Sequence, residues 1–159
     1  MTRGAVALVV WIAAVAPVLA EEAMQPIAVN PEALKFTTPP GLPLCAKATA
    51  LRGDPTKQAS VLFAEIGARC RIPWHWHTAG EQLMIANGNG MLEIKGEKPL
   101  RLLPGAYAFL PGHHVHRFAC FAACTIFNTT EDAFDIHYVD DAGNEIPAAD
   151  ALKPTVEKR

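Results

Sequence analysis

The stretch Trp74-His75-Trp76-His77-Thr78-Ala79-Gly80-Glu81 decides how this chain is read. Residues two apart on a strand face the same way. His75 and His77 on a strand therefore offer two imidazoles to one side, while Trp74 and Trp76 point to the other. Thr78-Ala79-Gly80 turns the chain, and Glu81 opens the next strand beside them. Two imidazoles and one carboxylate on adjacent strands make a facial set that suits a divalent metal. The tryptophans, on the opposite face, are expected to pack between sheets or at a dimer face.

Pro111-Gly112-His113-His114-Val115-His116 follows a further strand and a Pro-Gly turn. It brings a third imidazole from another part of the sheet. His116 and His114 are two apart and share a face on a strand. His114 is thus either a rim residue that meets substrate or itself a ligand. His113 is expected at the surface, and His137, alone on a strand, half-buried and hydrogen-bonded.

Strands are expected at 44–51, 60–66, 72–77, 81–86, 91–95, 98–103, 107–110, 115–121, 125–128 and 134–139. Short strands at this spacing, punctuated by Gly, Pro and Asn, predict an all-β sandwich or barrel. Asn87-Gly88-Asn89-Gly90 predicts a tight hairpin between two of them. Residues 21–43 hold five prolines and read as an extended N-terminal arm with one short helical turn near 31–35. Residues 44–140 form the barrel domain, and 141–159 a tail with a short helix near 147–153.

The chain has 159 residues, half of them hydrophobic, which is enough for one core and too few for two. Lys and Arg number 14 against 16 Asp and Glu, a net charge of −2. No basic field exists to hold nucleic acid. Arg3, twelve apolar residues over 5–16, Pro17 and the small Ala20 before Glu21 have the pattern of a secretory signal peptide over 1–20. The run is shorter than the about 20 residues of a membrane-spanning helix, so no stable anchor is expected after cleavage.

Four cysteines lie beyond that leader, which predicts disulfides in an oxidising compartment, secreted or periplasmic. Cys120 and Cys124 on one straight strand would stand about 13 Å apart, beyond bonding reach. They bond if Phe121-Ala122-Ala123 is a hairpin turn; otherwise either has a partner in Cys45 or Cys70. A four-cysteine zinc site is the alternative.

The histidine clusters resemble the two motifs of the cupin superfamily, as found in small single-domain exported cupins. His75, His77, Glu81 and Gly88 keep the spacing H-x-H-x3-E-x6-G of the first motif. Its leading glycine departs, since Gly67 lies eight places before His75 rather than six. Gly105, Pro111 and His116 match the second motif, G-x5-P-x-G-x2-H-x3-N. There His113 stands where the motif has glycine and Cys120 where it has asparagine. The resemblance covers about residues 58–128 and implies a cupin-type double-stranded β-helix, a jelly-roll barrel. It also implies that His75, His77, Glu81 and His116 hold one divalent metal: Fe, Mn, Ni, Cu or Zn.

Cupins with this ligand set include dioxygenases, isomerases and decarboxylases. The resemblance therefore implies a metal-dependent enzyme, dioxygenase-like or isomerase-like, on a small chelating substrate, with Glu93 and His114 as candidate bases. The alternative is a non-catalytic periplasmic module for a small molecule or a metal. Pairing into a homodimer through an outer sheet face would cover open strand edges. Asn128-Thr129-Thr130 is a formal glycosylation sequon.

Overall fold

A computed structural model describes residues 25–153. The signal-peptide reading over 1–20 lies outside them. Among the described residues, ten strands form two antiparallel sheets. They are β1 (Ala46–Arg52), β2 (Ser60–Ile66), β3 (Arg71–Trp76), β4 (Glu81–Asn87) and β5 (Gly90–Ile94), followed by β6 (Leu100–Leu102), β7 (Tyr107–Leu110), β8 (His116–Cys120), β9 (Cys124–Thr130) and β10 (His137–Tyr138). One sheet has the order β1-β2-β9-β4-β7, the other β10-β3-β8-β5-β6. The expected strands are all present. The arm holds a 3-10 turn at Pro31–Ala33, and α1 is Ala148–Ala151.

Alternation builds the core. β9 buries every second residue, Cys124, Ile126, Asn128 and Thr130, and β8 buries His116, Phe118 and Cys120. Leu83 and Ile85 of β4 meet Leu92 of β5 and Phe118 between the sheets. The strands read as half-polar because only one face of each is covered.

The Asn87–Gly90 reading needs correction. β4 and β5 belong to different sheets, so the tetrapeptide is a corner and not a hairpin. Gly88 takes φ +75°, and the Asn87 side chain accepts from its N–H. Asn-Gly chemistry supplies the turn, but it does not choose the partner strand. Here both strands turn their apolar residues into one core from opposite sides.

The same holds for Phe121–Ala123. It joins β8 to β9 across the sheets rather than as a hairpin, and Cys120 and Cys124 bond across that corner with Cα atoms 6.0 Å apart. Cys45 and Cys70 form the second disulfide, tying the start of β1 to the loop before β3. The four cysteines therefore make no zinc site. Both bridges sit at one end of the barrel, with His116 at the other end of β8.

Candidate metal centre

His75 lies on β3, His77 just beyond its end, Glu81 opens β4 and His116 opens β8. The ladder sets His75 opposite His116, and β10 sets Tyr138 opposite His75. The pairing of β3 with β8 shifts register between Ile72 and His75. Pro73 falls there, and proline has no N–H to give a ladder.

All four side chains are buried, and one ligand atom from each lies within 4.8 Å of the others. The backbone orients every imidazole. His75 Nδ1 is 2.6 Å from the Pro73 carbonyl, His116 Nδ1 is 2.8 Å from the His114 carbonyl, and His77 Nδ1 bonds the Asp135 carbonyl. Each Nδ1 thus donates outward, which leaves Nε2 as the atom each ring turns to the centre. Ligating histidines are held this way at metal sites. Glu81 Oε1 lies 2.8 Å from His116 Nε2 and 3.4 Å from His77 Nε2. Its other oxygen accepts from Asn128 Nδ2 at 2.6 Å.

Electrostatics follow from this crowding. Burial, together with the neighbouring His116 and His77, holds the His75 imidazole well below its ordinary value. Burial also pulls His77 down, but the Glu81 carboxylate and the Asp135 carbonyl outweigh it and keep that ring above its usual value. Burial would raise Glu81; His77 and His116 overcome this and hold the carboxyl well below the carboxylate range. A buried carboxylate and three inward nitrogens fit a divalent cation in charge and donor type.

A cavity partly open to solvent lies over the four residues. Leu62, Leu83 and Ile126 line it from one sheet, Ile72 and Phe118 from the other. Pro39 and Leu42 of the arm and Phe134 and Ile136 before β10 close over it. Tyr138 Oη ties the arm down by donating to the Gly41 carbonyl at 2.7 Å.

His114 is exposed, and only its carbonyl serves the cluster. His116 therefore completes the foursome. His113 is exposed too, with φ +63°, a left-handed backbone at the motif's glycine position. His137 is half-buried, stacked on Trp76 at 4.0 Å and 3.2 Å from the Asp135 carboxylate. Trp74 faces outward beneath the Arg117 guanidinium, and neither tryptophan enters the core. Glu93, a candidate base, lies on that outer face as well and is paired with Arg117 at 2.6 Å. Cys120 keeps the inward position of the motif's asparagine but is spent in its disulfide.

Sequence reasoning missed Asn128 as part of the site. It is buried against Glu81, so the sequon is closed to glycosylation. Its position was readable as the one amide on the inner face of an alternating strand.

The structure aligns with an acetylacetone dioxygenase from Acinetobacter johnsonii at a TM-score of 0.59 and 14% identity, covering 79% of this chain and 84% of that one. The fold is that of the cupins. An RmlC-like cupin from Shewanella frigidimarina matches at 0.56 and 16% identity, covering 66% of this chain and 89% of that one. The DMSP lyase DddQ from Ruegeria pomeroyi matches at 0.51 and 22% identity over 55% of this chain. This chain spans about half of that lyase, 47% of its length. No protein-family model matches the chain, and no curated protein matches it either.

Proposed function

We propose that this cupin binds one divalent metal through His75, His77, Glu81 and His116 and is a metal-dependent enzyme, dioxygenase-like or isomerase-like, for a small chelating substrate. The observation that carries this is the lock on the imidazoles. All three Nδ1 atoms are engaged by backbone carbonyls, so three Nε2 atoms are committed to one buried centre. The donor set admits Fe, Mn, Ni, Cu or Zn. A bound metal would polarise the oxygens of a chelating ligand. The chain's own part is to hold that ligand and exclude water: Glu81 offsets part of the ionic charge, and the aliphatic wall keeps the dielectric low.

Among the described residues, no carboxylate or imidazole beyond the four lines the cavity. This supports chemistry that needs no separate general base. It equally favours the second reading, a non-catalytic module that holds a small molecule or a metal. The dioxygenase and the lyase among the structural neighbours lend weight to catalysis. Two disulfides and the leader pattern support export, with the periplasm as the site of action. A homodimer would cover edge strand β7, whose Tyr107 and Phe109 are exposed.

The deciding test is the metal content of residues 21–159, exported and purified without an affinity tag, beside a His75→Ala/His77→Ala variant. About one metal per chain, lost in the variant, is expected from a four-ligand site. Oxygen uptake with a panel of small chelators then separates enzyme from binding module. Equal metal in both proteins, or none in either, would overturn the site.

A further inference from the structure

Asn128 stands mid-way along β9, with Leu62 of β2 and Leu83 of β4 opposite it in register. It is 8% exposed and lines the cavity. Its two polar atoms have different fates. Nδ2 donates to Glu81 Oε2 at 2.6 Å, which fixes the orientation of the amide, because a carboxylate oxygen accepts only from the nitrogen end. Oδ1 is buried and has no partner. A group serving only to brace Glu81 would need the donor alone. A buried acceptor without a partner is costly, and its presence in an apolar wall calls for a donor from outside the chain.

Resting on the metal reading above, we infer that Asn128 positions both Glu81 and the bound ligand: Nδ2 fixes the carboxylate, and Oδ1 accepts an O–H or N–H of the ligand. Beyond the four cluster residues, Asn128 and the exposed Lys47, every residue lining the cavity is apolar. The ligand class is therefore a small, mainly apolar chelator that keeps one protonated group beside its metal-binding oxygens. A ligand with the same chelating oxygens but no donor leaves Oδ1 unmatched and binds more weakly.

Acetohydroxamate and N-methylacetohydroxamate make the test. They chelate through the same two oxygens, and only the first retains an N–H. Each is titrated into cobalt-loaded protein and followed by the cobalt absorption bands, in the wild type and in Asn128→Leu, which removes both polar atoms at similar size. The wild type is expected to favour acetohydroxamate by about tenfold more than Asn128→Leu does. Equal ratios in the two proteins overturn the role of Oδ1 and leave the metal site standing. Failure of the wild type to take up cobalt overturns the metal reading and this inference with it. Should Asn128→Leu not fold, the wild type loaded with zinc decides alone. The N–H proton of bound 15N-acetohydroxamate should be shifted downfield and slow to exchange, whereas a freely exchanging proton contradicts the contact.

Discussion

His75 and His116 face each other in register across β3 and β8, with ring centroids 4.2 Å apart. Two residues far apart in the chain are thus placed as neighbours by a backbone ladder rather than by their own side chains. Pro73, at the register shift before them, also offers the carbonyl that orients His75. Rigid positioning of this kind lets a binding centre exist before its ligand arrives.

The ladder makes the four cluster residues unequal to their neighbours. Replacing His116 by Ala should abolish stoichiometric metal binding, whereas His114→Ala should leave it intact, because only the His114 carbonyl reaches the site. Metal analysis and cobalt titration of the two variants check this. Loss of metal in His114→Ala with retention in His116→Ala would reverse the assignment.

Protons compete with the metal for the same nitrogens. A ligating imidazole must be neutral at Nε2. Glu81 holds His77 above its ordinary value while burial holds His75 below it, so His77 gains a proton before His75 as pH falls. Cobalt affinity should therefore drop as pH is lowered from 7.5 through about 6.5, the usual histidine value, and continue to fall below it. Titrations at stepped pH measure this, and a flat profile would argue against imidazole ligation.

The Cys45–Cys70 bridge closes the longer loop, a separation of 25 residues against 4 for Cys120–Cys124. Cross-linking a loop of that length limits the unfolded chain by about 3.5 kcal/mol. Cys45→Ala/Cys70→Ala should lose stability of that order in urea unfolding. A loss below about 1 kcal/mol would mean that the unfolded chain gains little freedom from the cut.

Gly90 lies against the ring of Phe118, and a Cβ there would collide with it. Gly90→Ala should cost about 1–3 kcal/mol, as overpacking does, and Phe118→Leu should recover part of that loss in the double variant. Thermal unfolding of the three proteins measures the coupling; strict additivity would show that the ring moves aside freely.

His113 takes a left-handed backbone at the place where the second cupin motif has glycine. His113→Gly should fold and bind metal as the wild type does. His113→Val should lose about 1–2 kcal/mol, since a β-branched side chain resists that conformation. Equal melting temperatures for the two would show that the turn is not constrained.

Strand positions and the grouping of His75, His77 and Glu81 were legible along the chain because both depend on local rules. Alternation with period two reports which residues share a face, and H-x-H with a carboxylate four residues on reports a facial donor set wherever the segment is a strand. Face alternation did not separate His114 from His116, which share a face on an ideal strand; the motif spacing favoured His116, and β8 starts at His116 with His114 outside it. The Asn87–Gly90 and Phe121–Ala123 turns were visible as turns, but whether a turn closes a hairpin or a corner depends on which sheet receives the next strand. Asn128 and the Asp135 carbonyl were invisible as site members, because their partners Glu81 and His77 lie 47 and 58 residues away. The sequence by itself determined the period, the turn chemistry and the donor types, which are properties of neighbouring residues. Only the tertiary structure decided the sheet partners, the disulfide pairing and the unpartnered Asn128 Oδ1, since these depend on which distant surfaces are buried together.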